Sequence, residues 1–178
     1  MTAAAKTPRQ RGRANRNRGH QAERDVSRWL RANGYPHAER AVRAGFRAAD
    51  RAAPDPGDIT GTPGILWSVK DCAVEQTAKW FDELDDMSDN AHIGGCLTFL
   101  VHKRRGHADP GRWWCWQWQS QYLDLYRMWL QQVDEVRRIP ELPLWIPSGT
   151  EYPMRMQLGH VVPLLRAAGY GDPDGVAS

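Results

Sequence analysis

Hydrophobic and polar positions switch between two periods along this chain. Val26, Trp29 and Leu30 recur at the spacing of one helix face and predict an amphipathic helix that opens at Gly19-His-Gln-Ala-Glu23. Ile65 to Val69 is a short, apolar, β-prone run behind the turn residues Gly61 to Gly64, which predicts a hairpin entered through Asp58. Helical spacing returns over residues 74 to 88, where Val74, Ala78, Phe81 and Leu84 form a stripe suited to packing on a sheet. A strand from Cys96 to Val101 follows, then one in which Trp114, Trp116 and Trp118 share a face. Residues 120 to 138, with Tyr122, Leu125, Trp129, Leu130 and Val133, predict another amphipathic helix. The proline-rich stretch 140 to 153 is a connector, Met154 to Leu158 a last strand, and Val161 to Ala168 a short helix ended by Gly169. No internal repeat is visible. Helices interleaved with strands predict a single α/β domain with a central mixed sheet flanked by helices.

Length and composition agree with that picture. A chain of 178 residues is long enough to bury a substantial core. No apolar segment has the length to span a bilayer, and the N-terminus lacks the hydrophobic region of a signal peptide, so a cytoplasmic protein is expected. Cys72, Cys96 and Cys115 are scattered, odd in number and without finger-like spacing, which favours ordinary packing in a reducing compartment over zinc or disulfides.

Charge is unevenly spread. The net charge is +3, yet residues 1–18 hold Lys6, Arg9, Arg11, Arg13, Arg16 and Arg18 and no acid, so the rest of the chain is net acidic. This segment reads as a disordered basic arm, rich in Arg, Asn, Gly and Ala, that tracks phosphates or serves as a solubilising tail. Residues 171–178 read as a disordered tail. Arg40, Arg43, Arg47 and Arg51 lie along a Gly/Ala-containing connection before Asp58, and Lys103-Arg104-Arg105 follows the strand that ends at Val101. These cations suit a duplex gripped through its backbone, or a solvated surface. The alternating tryptophans suit core or interface packing, with stacking of unpaired bases as the other reading.

The richest chemistry lies between Gly57 and Lys70. Side chains two apart on a strand share a face, so Ser68 and Lys70 point the same way, and the hairpin turn sets Asp58 opposite Ser68. A carboxylate beside a lysine suits a divalent cation next to a phosphate: the acid holds the hard cation, and the lysine steadies developing charge or adjusts the attacking water. Taken alone, such a pair also arises by chance, and Glu23 alone reads as a solvated residue favoured near a helix start.

The order Gly19-x-x-x-Glu23, Gly57-Asp58, Ser68-Val69-Lys70 resembles the PD-(D/E)XK nuclease superfamily, most closely the Holliday junction resolvase branch of archaea and phages. The likeness continues through Trp80-Phe-Asp-Glu83, Val101-His-Lys-Arg-Arg-Gly106, Asp109-Pro-Gly-Arg-Trp-Trp114 and Leu164-Leu-Arg-Ala-Ala-Gly-Tyr170, spanning most of residues 17 to 170 and resembling resolvase-like proteins of actinobacterial phages. The resemblance implies a restriction-endonuclease-like core over residues 19–170, with the helix at 120–138 as an insertion. It implies a homodimer that cuts branched DNA with Mg2+, or Mn2+ as a substitute.

Two departures stand out. Gly57 replaces the proline before the aspartate. Ser68 stands where the second acidic ligand of the motif belongs, and magnesium favours more than one anionic oxygen. Glu83 is the candidate replacement, because a helix packed on the sheet brings its border toward the short serine, and some restriction endonucleases of the superfamily carry Ser-x-Lys with a glutamate on the next helix. The other reading of Glu83 is a solvated acidic face with Asp82, Asp85, Asp86 and Asp89. Asp71 is a poorer replacement, since alternation turns it away from Lys70.

The expected site is therefore Asp58, Glu83 and Glu23 on the metal, Lys70 at the water and Ser68 lining the site. Arg11, Arg13, Arg16, Arg18, Arg40, Arg43, Lys103, Arg104 and Arg105 are the expected DNA contacts. The alternatives are another nuclease of the superfamily, directed to flaps, ends or a sequence, and a catalytically inert DNA-binding relative.

Overall fold

The computed structural model describes residues 7–41, 57–90, 96–132 and 151–172. Arg43, Arg47 and Arg51, the connector up to residue 150 and the last six residues of the tail lie outside this set.

The first helix, α1 (Pro8–Ala32), reaches much further back than the apolar spacing predicted. The segment read as a disordered arm is helical from Pro8 onward, which corrects that expectation. Its N-terminus carries a capping box: the Gln10 N–H donates to the Thr7 hydroxyl at 3.3 Å, and the Thr7 N–H donates to Gln10 Oε1 at 2.9 Å. Pro8 occupies the first turn, where its missing donor costs nothing. Charge and exposure had masked these signals. Ala22, Val26 and Leu30, near the C-terminal end, are fully buried, whereas Arg11, Arg13, Arg16 and Arg18 stand in solvent.

A two-residue ribbon follows, β1 (Glu39–Arg40) antiparallel to β2 (Ile59–Thr60). The main sheet comprises β3 (Ile65–Lys70), β4 (Leu97–His102), β5 (Trp114–Trp118) and β6 (Pro153–Gln157), in that spatial order. β3 and β4 are parallel and are joined through α2 (Thr77–Asn90), as a parallel pair requires a crossover. The other two pairings are antiparallel, so the sheet is mixed, as expected. α3 (Gln119–Gln132) and α4 (Leu158–Ala167) complete the described elements. The helix predicted over 120–138 is thus described to Gln132. The predicted tail begins in contact with the body, because the Asp172 N–H donates to the Gly34 carbonyl at 3.0 Å.

Alternation on β3 builds two apolar layers. Ile65, Trp67 and Val69 face α1 and α4, meeting Val26, Leu30, Phe99, Trp113, Val161 and Leu165. Leu66 faces the opposite side with Leu100 and Trp116, under Trp80, Phe81, Leu84 and Met87 of α2. All six residues of β4 are buried, the pattern of a strand covered on both faces. Each large side chain sealed in this way contributes about 1.5–3 kcal/mol. The inward stripe of α2 differs from the predicted one. Val74 is 67% exposed because it precedes the helix, where helical phase does not apply, and Ala78, in the first turn, is also exposed, while Phe81 and Leu84 are buried as expected. Trp114, Trp116 and Trp118 pack on this same layer, and Trp118 meets Phe81 edge-on at 4.3 Å.

Candidate metal and nucleic-acid site

β3 carries Ser68 and Lys70 on its α2 side, and Asp58 is tied to the same strand twice. The Asp58 N–H donates to the Trp67 carbonyl at 2.7 Å, and Asp58 Oδ2 accepts from the Val69 N–H at 2.8 Å. Asp58, expected opposite Ser68, is bonded to the residues on either side of it, Trp67 and Val69, and β2 forms its ladder with β1 rather than with β3. Gly57 has φ of +72°, and a Cβ there would lie 2.8 Å from the Trp67 carbonyl oxygen. Proline is fixed near −65° and cannot take that conformation, so the first departure from the motif follows from the local backbone.

Glu83 reaches the site from α2. Lys70 Nζ lies 2.5 Å from Glu83 Oε2, and Lys79 Nζ lies 3.7 Å from Oε1. Asp58 and Glu83 thus approach β3 at consecutive residues, one at the Val69 amide and the other at the Lys70 ammonium. Ser68, two positions earlier on the Lys70 face, is only 8% exposed.

Glu23 is committed elsewhere. Arg40 Nε donates to Glu23 Oε2 at 2.7 Å, and both side chains are largely shielded. Arg40 pairs in the ribbon with Ile59, and the Ala41 N–H donates to the Asp58 carbonyl at 2.9 Å, so this ion pair borders Asp58 through the backbone. Among the described residues no group of three or more His, Cys, Asp or Glu side chains forms a ready-made metal cage. Magnesium does not need one: it is commonly held by one or two carboxylates together with substrate phosphates and water, and Asp58 and Glu83 are hard-oxygen donors of that kind.

The basic run after β4 divides. Lys103 Nζ and Arg105 Nη2 lie 3.7 and 2.9 Å from the carboxylate of Asp71, whose side chain is 3% exposed. Arg105 is near Asp71 Oδ1 without the alignment of a hydrogen bond. Asp71 thereby has a structural role, and two of the three expected DNA contacts serve it. Arg104 turns the other way and lies over the Trp114 ring, 4.4 Å from its centroid. On α1, Arg9, Arg13 and Arg16 share one side of the exposed N-terminal half, and Arg11 and Arg18 share another. Arg18 donates to Asn15 Oδ1 at 2.6 Å.

Several neighbours of Lys70 carried no sequence signal. His102 is its register partner on β4 and is buried beneath the Trp80 ring at 4.9 Å. His102 Nε2 donates to the Cys72 carbonyl at 3.0 Å, while Nδ1 makes no hydrogen bond and lies 3.7 Å from Glu75 Oε1. Cys72 Sγ is 3.9 Å from Nε2. This grouping looks like a nucleophile with its base, but burial pushes the Cys72 thiol up, outweighing the opposing pull of Lys70, so thiolate is disfavoured at neutral pH. Only the β3/β4 register brings these residues together, and a single sequence does not disclose register.

No helix among the described residues is long and apolar enough to cross a membrane. Comparison with protein-family models, curated proteins and solved structures finds no match to the chain.

Proposed function

We propose that this protein is a magnesium-dependent endonuclease that hydrolyses phosphodiester bonds in branched DNA, resembling Holliday junction resolvases. The observation that carries this reading is the convergence on β3: Glu83, from a different element, contacts Lys70 beside Ser68, while Asp58 is fixed on the Val69 amide. The succession α1-β1-β2-β3-α2-β4, with the aspartate entering β2 and the lysine ending β3, supports a restriction-endonuclease-like core. Three free thiols agree with a reducing, cytoplasmic setting.

In this reading Asp58 and Glu83 hold the cation and Lys70 stabilises charge as the phosphate is attacked. A bound Mg2+, or Mn2+ in its place, supplies Lewis-acid polarisation of a phosphoryl oxygen and acidifies water. The amide bond to Asp58 Oδ2 orients that carboxylate before substrate arrives, and buried Ser68 lines the floor. Glu23 keeps Arg40 in place at the ribbon. A four-way junction offers two symmetry-related strands, so the working unit is a homodimer.

One observation favours a second reading, an inert DNA-binding relative: the position two before Lys70 is a serine, and Glu83 is already engaged by Lys70. Incubating a labelled synthetic four-way junction with magnesium separates the two. Paired symmetric nicks that disappear in Asp58→Ala and Lys70→Met support the resolvase. Equal cutting of flaps or linear ends points to another nuclease of the superfamily. Binding without cleavage in both magnesium and manganese overturns the enzyme reading.

A further inference from the structure

We infer that Arg104 and Arg155, stacked on Trp114, form a preset pair of phosphate-binding groups that holds the DNA backbone along the end of the sheet where β3 closes with Lys70. The inference rests on the nucleic-acid reading above and names the residues that hold the substrate.

Register supplies the first part of the argument. Lys70 pairs with His102, His102 with Trp114, and Trp116 with Arg155, so these side chains stand on one face in two adjacent rows. Neighbouring strands lie about 4.8 Å apart, which puts Trp114 about 10 Å from Lys70 across the sheet. A nucleic-acid strand carries one charge per about 3.4 Å of axis, so a single strand can reach both places.

Packing supplies the second part. The Arg104 and Arg155 guanidinium carbons lie 4.4 and 4.7 Å from the Trp114 centroid, and Arg155 also lies 5.2 Å from that of Trp116. Trp114 belongs to the rigid β5, so both guanidinium groups are held with little rotamer freedom left to lose on binding. Arg155 remains 45% exposed. Among the described residues its acidic neighbour is Glu75, whose Oε1 lies 3.6 Å from Nη1, a contact beyond hydrogen-bond range. Lys103 and Arg105 are held by Asp71, so Arg104 is the member of the basic run available on this face. A planar guanidinium presents paired donors that match phosphate oxygens, so a phosphodiester backbone is the ligand this pair fits. Such contacts position DNA without reading its sequence, as a junction-directed enzyme needs.

The test is fluorescence anisotropy with a labelled four-way junction in EDTA, so that nothing is cut, over a series of salt concentrations. Arg104→Gln and Arg155→Gln should each reduce the slope of log K against log salt by about 0.9, and the double variant by about twice that. Arg28→Gln, on α1, should leave the slope unchanged. Arg104→Lys and Arg155→Lys keep the charge but not the planar stack, so they should keep the slope while weakening binding. They also provide the readout if a glutamine variant fails to fold. Wild-type slope and affinity in all four variants would overturn the inference while leaving the nucleic-acid reading standing. Failure of the wild-type protein to bind the junction at low salt would overturn both.

Discussion

Replacing Glu83 by glutamine separates a ligand from a surface ion pair, because the two roles predict effects of very different size. The Lys70–Glu83 contact is short, 2.5 Å, but the side chains are 27% and 42% exposed, and Lys79 shares the carboxylate at 3.7 Å. Exposed pairs contribute about 0.2–1 kcal/mol. For a chain of this size that corresponds to a change in Tm below about 4 °C. Glutamine keeps the shape and one acceptor oxygen, so only the charge at this position is removed. If Glu83 holds the cation, the substitution removes several kcal/mol of transition-state stabilisation, and cleavage falls by about 10²-fold or more. Thermal unfolding followed by circular dichroism, paired with initial rates of junction cleavage in magnesium, measures both quantities. Asp82→Asn, one residue away and exposed, should leave both unchanged. A Glu83→Gln protein that cleaves within twofold of wild type would refute the assignment and leave Glu83 as the counter-ion of Lys70.

Asp71→Asn should destabilise the fold by about 2–3 kcal/mol in urea titration, since it leaves Lys103 and Arg105 without the carboxylate they flank; the cost stays below that of a fully buried pair because those cations are 25% and 53% exposed. A change below about 0.5 kcal/mol would show that the two cations are solvated instead. Stability should also fall with rising pH above about 9, the region where unfolded-state thiols and then phenols ionise. Burial raises the Cys115 thiol and the Tyr35 phenol well above their ordinary values, so the native state keeps protons that the unfolded state releases. Their stabilisation is complete below the unfolded values and is lost as pH climbs toward the folded ones, at up to about 1.4 kcal/mol per pH unit for each group. Urea midpoints at pH 8 and pH 10.5 test this, with Cys115→Ala showing a shallower decline; equal declines would refute the thiol's share.

The main sheet and its helices were legible because the apolar periods are strong where both faces of an element are committed. β4 is a continuous buried run, and Ile65 to Val69 alternates between two cores, so neither needed long-range information. The N-terminal half of α1 was missed because its helical signals are caps rather than apolar spacing: Thr7 and Gln10 satisfy each other's backbone donors in a segment that buries little. The α2 stripe is right at Phe81 and Leu84 but was drawn too far back, to Ala78 in the first turn and to Val74, which sits in the approach to the helix. At the site, Asp58, Ser68 and Lys70 could be placed from strand alternation, and Glu83 from helix packing. The division of Lys103, Arg104 and Arg105 between Asp71 and Trp114 could not, because it depends on the side to which each residue turns after β4. The placing of Arg155 over Trp114 and Trp116 depends on β5/β6 register, which local pattern does not encode.

The position of the acid has a mechanical consequence for the proposed chemistry. An acid at position 68 would be fixed by β3, whose hydrogen bonds to β4 set its place. Glu83 instead comes from α2, whose position depends on Trp80, Phe81, Leu84 and Met87 packing over Leu66, Leu100 and Trp116. Asp58 is referenced to the strand by two backbone contacts, so the two carboxylates are held by different means. Any loosening of α2 moves Glu83 relative to Asp58 while leaving Asp58 and Lys70 in register. Geometry between the two acids is therefore set by an apolar interface rather than by the β-ladder. Shaving Phe81, which packs edge-on against Trp118 of β5, should impair cation binding before it unfolds the sheet.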